Sequence, residues 1–160
     1  MKIISIDPGY ERLGIAILDK DKKEKESLIF SECFKTSAKE EHPERLAKIQ
    51  NRIIEIINQF SPEEMAIESL FFNTNQKTAL LVAETRGTII STAKNAGLKI
   101  FEYSPQQIKM AVTGMGNSDK NSVIKMLTLI IKINKEIKYD DEFDAIACGI
   151  THISVTRKSL

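Results

Sequence analysis

Met1-Lys2-Ile3-Ile4-Ser5-Ile6-Asp7-Pro8-Gly9 opens the chain with a short apolar run closed by an acid and a turn. Its length and isoleucine content are those of a buried strand. After the turn at Pro8-Gly9-Tyr10, Leu13-Gly14-Ile15-Ala16-Ile17-Leu18 reads as a second strand. Asp19 to Glu26 alternates acids with lysines and reads as a charged hairpin connection. Ser27 to Phe34 reads as a third strand. Three successive strands with short connections predict an antiparallel meander.

The pattern then changes period. Leu46, Ile49, Ile53, Ile56, Ile57 and Phe60 recur at three- and four-residue spacings, so residues 43–60 are expected to form an amphipathic helix. Ser61-Pro62 ends it, and residues 63–68 form a short strand closed by Glu68. Residues 75–96 read as a helix in which Ala79, Ala83 and Gly87 make a stripe that allows close approach to a sheet or another helix. Leu80, Leu81 and Val82 widen its apolar surface beyond one face. Gly97 closes that helix, and Leu98 to Tyr103 is a fifth strand. Ser104 is the expected cap of a short helix with Pro105 at its first position. Ser118 is the expected cap of the next, and the last helix starts near Asp141 and runs to about Val155. Three antiparallel strands followed by two in helical crossover units predict a mixed α/β fold. Its five-stranded sheet has helices on its faces, and strands four and five run parallel to the first.

All 160 residues are expected to form a single domain, long enough to bury a core. Hydrophobic content of 42% and charged content of 28% are those of a globular protein. No apolar run approaches the roughly 20 residues of a membrane span. The first segment lacks the form of a signal peptide, so the cytoplasm is the expected location and no membrane contact is expected. Cys33 and Cys148 lie in apolar segments and read as small, reduced, buried residues that make no zinc motif. His42 and His152 are too isolated for a zinc site. His152 falls two helical turns after Asp144 but reads as a helix-surface or packing histidine. The net charge of +1 does not announce a nucleic-acid binder, although an acidic site cancels lysines in the sum.

Four acids carry the chemistry. Asp7 and Glu68 each end an apolar strand, and the crossover brings those ends side by side. Asp141 and Asp144 share one face of the first turn of the last helix. If that helix packs its Ala145, Ala147 and Cys148 side near the first strand, the four carboxylates converge. Crowded carboxylates repel, and hard divalent cations with oxygen ligands would neutralise them. Two Mg²⁺ ions about 3.5–4 Å apart would suit phosphodiester hydrolysis. Spacing alone leaves one alternative open, because Asp140 and Asp144 would also share a helix face.

These residues resemble the RuvC Holliday-junction endonucleases of the ribonuclease H-like superfamily. The similarity runs nearly end to end. It includes Ile6-Asp7-Pro8-Gly9, Ala66-Ile67-Glu68 with Phe71 behind, Ala83-Glu84-Thr85-Arg86-Gly87, Phe101-Glu102-Tyr103, Lys109, Gly114-Met115-Gly116, Lys120, and Asp141-Glu142-Phe143-Asp144-Ala145. The resemblance implies that Asp7, Glu68, Asp141 and Asp144 are catalytic metal ligands for two Mg²⁺ ions, with Mn²⁺ as a substitute. It implies that Lys109 and Lys120 contact the DNA backbone near the cut. It places Phe71 to stack on a base opened at the crossover, worth roughly 1–3 kcal/mol. Arg86 either contacts DNA or fixes its own helix. The implied substrate is four-way junction DNA, cut on two strands by a homodimer, with the branch-migration proteins RuvA and RuvB as partners. The helix at 75–96 is the expected dimer contact.

Three other readings differ in what they require. An actin- or hexokinase-type ATPase would share Asp7-Pro8-Gly9 and the meander, but it needs two lobes to close over nucleotide. A junction-binding protein without catalysis would lack one or more of the four carboxylates. A different ribonuclease H-like nuclease would act on RNA–DNA hybrids or flaps.

Overall fold

The computed structural model describes residues 1–20, 26–70 and 76–157. Strands β1 (Lys2–Asp7), β2 (Arg12–Asp19) and β3 (Ser27–Lys35) pair antiparallel, as the meander predicts. Strands β4 (Glu64–Glu68) and β5 (Lys99–Tyr103) run parallel to β1, giving the order β3-β2-β1-β4-β5. Ile6 pairs with Ile67, so the next step along both strands sets Asp7 beside Glu68. The strand residues Ile3, Ile4, Ile6, Ile15, Ile17, Met65 and Ile67 are fully buried. Each such side chain contributes about 2 kcal/mol relative to exposure.

The pleat divides these residues between two cores. Ile4, Ile6, Leu13, Ile15, Ile17, Met65 and Ile67 face α1 (His42–Phe60) and α2 (Gln76–Asn95). Ile3, Ala16, Leu18 and Ala66 face α3 (Pro105–Thr113), α4 (Lys120–Ile130) and α5 (Asp140–Arg157). Alternation therefore turns Asp7 and Glu68 toward α5, since Asp7 lies four residues beyond Ile3 and Glu68 two beyond Ala66.

Small residues let α5 lie low on the sheet. A Cβ added at Gly14 would come within 1.9 Å of the Asp141 carbonyl oxygen. One added at Gly149 would meet Leu18 Cδ1 at 2.3 Å and Ser5 Oγ at 2.7 Å. Ala145, Ala147 and Cys148 are fully buried, so this helix packs the side the sequence assigns to it.

Most helix ends follow the sequence. Ser104 caps α3 in a full capping box with Gln107, and Gly97 takes the left-handed conformation (φ 87°) after α2. The cap of α4 differs. Asp119, not Ser118, accepts the hydrogen bond from the Ser122 backbone N–H at 2.7 Å. Ser118 is buried instead, its hydroxyl within reach of Met115 O at 2.9 Å and Thr113 Oγ1 at 2.6 Å. Its hydroxyl closes the 113–118 loop, which leaves the cap to the next acceptor. The stripe on α2 also behaves differently from the expected packing. A Cβ added at Gly87 would meet nothing within 4 Å, and Leu80 is 65% exposed. Among the described residues nothing uses the close approach that Gly87 allows. Most of the charged β2–β3 connection, residues 21–25, lies outside the described residues.

The tight contact at Gly14 makes a clear expectation. Gly14→Ala would drive a methyl group into backbone rather than into a flexible side chain. It should cost about 3 kcal/mol and lower the melting temperature by about 10 °C. Calorimetry reads this directly, and melting within about 2 °C of the parent would show that α5 has room to lift.

Candidate active site

Asp7 and Glu68 stand at the C-terminal ends of neighbouring parallel strands, under the first turn of α5. The loop after Asp7 is locked in place. Gly9 donates its N–H to Asp7 O at 3.0 Å, and a Cβ at Gly9 would strike Arg12 O at 1.8 Å. Arg45 of α1, 3% exposed, donates from Nη2 to Tyr10 O at 3.1 Å and from Nε to Thr36 Oγ1 at 2.8 Å. A buried arginine thus pins the turn that carries Asp7. It lies on the apolar face of its helix, and helical periodicity gives no sign of it.

The four acids share one electrostatic field. Burial holds the Asp7 carboxyl well above the usual carboxylate range, and Glu68, Asp144 and Asp141 push it further against the pull of Lys120. Glu68 is pushed up to about 7, first by burial and then by Asp144, with Lys120 and Lys109 opposing. Asp144 is raised by burial although Lys120 pulls it down. Such crowding favours whichever cation neutralises it.

Two protein cations answer that field. Lys120, in the first turn of α4, reaches Asp140 at 2.6 Å and Asp144 at 3.0 Å. Burial works against its charge, but these two bonds outweigh that and hold it protonated. Arg12 Nε lies 3.2 Å from Asp141 Oδ2. That oxygen is buried and accepts no hydrogen bond. Asp140 is 46% exposed and is held below the usual range by Lys120. Glu142 turns away, to Lys135 on the β3 side. On α5, Asp144 and Asp141 both raise Asp7.

With Lys120 and Arg12 on the carboxylates, no three Asp, Glu, His or Cys side chains among the described residues form a ready metal cage. The donors present nonetheless fit a hard divalent cation. They are all carboxylate oxygens, one of them is buried without a hydrogen bond, and three of the four carboxyl groups are destabilised in charged form.

The other singled-out residues separate clearly. Lys109 and Lys120 line one hollow with Glu68 and Asp144. Arg86 donates from Nε to Glu68 O at 3.2 Å and pairs through Nη2 with Glu102, so its contacts fix α2 to the ends of β4 and β5. Phe71 lies outside the described residues. Both cysteines are free, with Cys148 buried and Cys33 half-buried. His42 pairs with Glu84 at the surface. His152 is fully buried away from the four acids. Its Nε2–H donates to Glu64 Oε2 and its Nδ1 accepts from the Tyr103 hydroxyl, each at 2.8 Å. It is a packing histidine.

Comparison with known proteins agrees with this geometry. The family model described as crossover junction endodeoxyribonuclease RuvC matches residues 3–152. A relative of that name from Finegoldia magna is 41% identical over 153 residues, 96% of this chain and 93% of the relative. One from Halothermothrix orenii is 40% identical over 152 residues, 95% of this chain and 92% of the relative. Among solved structures, Thermus thermophilus RuvC in complex with a Holliday junction substrate superposes with a TM-score of 0.92 at 31% identity. That match covers 99% of this chain and 96% of the other. The yeast mitochondrial Holliday junction resolvase, at 12% identity and a TM-score of 0.72, shares the fold. With the match reaching from residue 3 to residue 152, the chain belongs to the RuvC family of crossover junction endodeoxyribonucleases.

Proposed function

We propose that this chain resolves four-way DNA junctions, cutting two strands symmetrically by phosphodiester hydrolysis as a homodimer. The reading treats residues 1–160 as one nuclease domain acting in the cytoplasm with RuvA and RuvB. The observation that carries it is the convergence of Asp7, Glu68, Asp141 and Asp144 in a member of this family. Those four residues would hold two Mg²⁺ ions, and Mn²⁺ would substitute because it takes the same oxygen ligands. Bound as a pair, such ions supply the positive charge that attack of water on a phosphodiester and departure of its 3′ oxygen require.

The chain's own residues do the rest. A phosphodiester entering the hollow beside Glu68 and Asp144 meets the ammonium groups of Lys109 and Lys120. Their charge favours the transition state, where negative charge grows on the phosphate oxygens. Asp140 holds Lys120 at that rim. Arg86 positions Glu68 by holding its carbonyl, which ties α2 to the reacting site. Phe71 would stack on a base opened at the crossover. The exposed Leu80 and the unused Ala79-Ala83-Gly87 stripe of α2 form the contact between two copies.

A nicking assay with a four-way junction, a linear duplex, a flap and an RNA–DNA hybrid tests the reading. The junction should be cut with Mg²⁺ and left whole in chelator. Asp7→Asn should lower that rate by at least about a thousandfold while junction affinity stays within about threefold, since affinity comes largely from phosphate contacts elsewhere. Preferential cutting of the hybrid or flap would replace the substrate. Cutting by Asp7→Asn within tenfold of the parent would remove Asp7 from the site.

The raised carboxylates also make the metal-free protein sensitive to pH. A group whose folded-state pKa lies above its unfolded one adds no penalty below the unfolded value. It destabilises the fold in full above the folded value. For Glu68, stability in chelator should therefore fall as pH rises from about 4.5 to about 7. Glu68→Gln should raise the metal-free melting temperature at pH 8 by about 5 °C and abolish cleavage. A parent melting temperature that is flat across this range in chelator would contradict the crowding.

Leu80→Glu should give a folded monomer in sedimentation. Its residual activity should appear as single nicks, because all four carboxylates come from one chain. A variant that stays dimeric and makes paired incisions would place the interface elsewhere.

A further inference from the structure

We propose that Arg12, Lys35, Lys138 and Tyr139 form a second phosphate-binding surface, which holds the DNA backbone on the β3 side of the acidic site. This deepens the nuclease reading above and rests on it. The centre of the cluster is the Tyr139 ring, just ahead of α5. Lys35 Nζ lies 3.5 Å from the ring centroid, and Arg12 Cζ and Lys138 Nζ each lie 5.7 Å from it. The sheet itself sets two of these residues together, because Arg12 at the start of β2 pairs with Lys35 at the end of β3.

Three cations around one ring repel each other. The π face offsets part of that, at about 0.5–1 kcal/mol for each exposed contact. Arg12 has a further partner in Asp141. Among the described residues, Lys35 and Lys138 make no ion pair with a carboxylate, whereas Lys48, Lys120 and Lys135 each do. Both stand exposed beside a ring that organises them without neutralising them. A local excess of positive charge touching a four-carboxylate centre has a clear use for a polyanionic substrate. The acids repel phosphate, and cations on either side restore the attraction.

The sheet order gives the two sides. Glu68 is on β4, and Lys109 follows β5 on α3, so Lys109 and Lys120 serve the β5 side of Asp7. Arg12 and Lys35 belong to β2 and β3, on the other side. A strand crossing the acids from one flank to the other would be held both before and after the reacting phosphate. Duplex or branched DNA, with phosphates on both sides of any cut, fits such a surface.

The salt dependence of binding tests this. Affinity for a four-way junction is measured by fluorescence anisotropy in chelator at several salt concentrations. The chains compared are the parent, Lys35→Gln/Lys138→Gln, and Lys94→Gln/Lys99→Gln as a control at exposed positions away from the acids. Each lost phosphate contact should reduce the slope of log affinity against log salt by about 0.9. The first double variant should therefore lose about 1.8 from the slope and bind about tenfold more weakly at 0.1 M salt, while the control keeps the parent slope. Lys35→Arg/Lys138→Arg should keep the slope as well. Parent cleavage of the same junction is followed in parallel. If the parent cuts the junction and Lys35→Gln/Lys138→Gln keeps its slope, the surface is not a phosphate site and this inference alone falls. If the parent neither binds nor cuts the junction, the nuclease reading falls and takes the surface with it.

Discussion

The close approach of α5 to the β1–β2 hairpin is the contact on which the site depends. Helix and sheet normally stand about 10 Å apart, a distance set by the side chains between them. Here Gly14 leaves room for the Asp141 carbonyl, and Gly149 leaves room for Leu18 and Ser5. The two glycines thus lie on opposite sides of the contact, Gly14 on β2 under the first turn of α5 and Gly149 in the middle of α5 itself. Lifting the first turn by even a methyl group would draw Asp141 and Asp144 away from Asp7. An active site assembled from three distant segments is therefore set by a packing distance.

That placement is unfavourable for the empty fold. Asp7, Glu68 and Asp144 are all harder to ionise than ordinary carboxylates, with burial the leading cause. Lys120 and Arg12 relieve part of this by pairing with Asp144 and Asp141. Neither relieves it fully, since the shifts remain upward and one Asp141 oxygen stays without a hydrogen bond. Residual repulsion of this kind favours a cation that neutralises it. Arg45 and Arg86 hold the backbone carbonyls of Tyr10 and Glu68, and the carboxylate that Arg86 pairs with, Glu102, is not one of the four acids, so both brace the site without consuming its charge.

Much of this arrangement was legible in the sequence because it follows from periodicity and chain order. The short apolar runs at β1 and β4 locate Asp7 and Glu68, and the crossover rule sets them side by side. The i, i+3 spacing places Asp141 and Asp144 on one face but leaves Asp140 as a rival, and in the structure Lys120 bonds both Asp140 and Asp144. What escaped were contacts that depend on side-chain reach. Arg45 sits buried in a helix face that otherwise reads as apolar. Arg12 and Lys35 are charged ends of strands, indistinguishable in sequence from solvated positions. Ser118 and Asp119 are both good caps, and only the path of the 113–118 loop decides between them. The stripe at Ala79, Ala83 and Gly87 reads as a packing surface, yet a Cβ at Gly87 would meet nothing within 4 Å among the described residues.

The two ends of α5 show how one helix carries both function and scaffold. Its first turn presents acids to the strand ends and is kept polar by them. Two turns beyond Asp144, on roughly the same face, His152 is enclosed by Phe101, Tyr103 and Glu64. Burial lowers its pKa while Glu64 opposes, so it stays a neutral imidazole with one nitrogen donating and the other accepting. Both of its polar atoms are satisfied, and it couples α5 to the start of β4 and the end of β5. Tyr103 pairs in register with Glu68, so this buried network fixes the strand next to the one that carries Glu68. A histidine at helical spacing from Asp144 thus serves the acidic site from a distance. The chemistry at one end of α5 rests on a hydrogen-bonded anchor at the other.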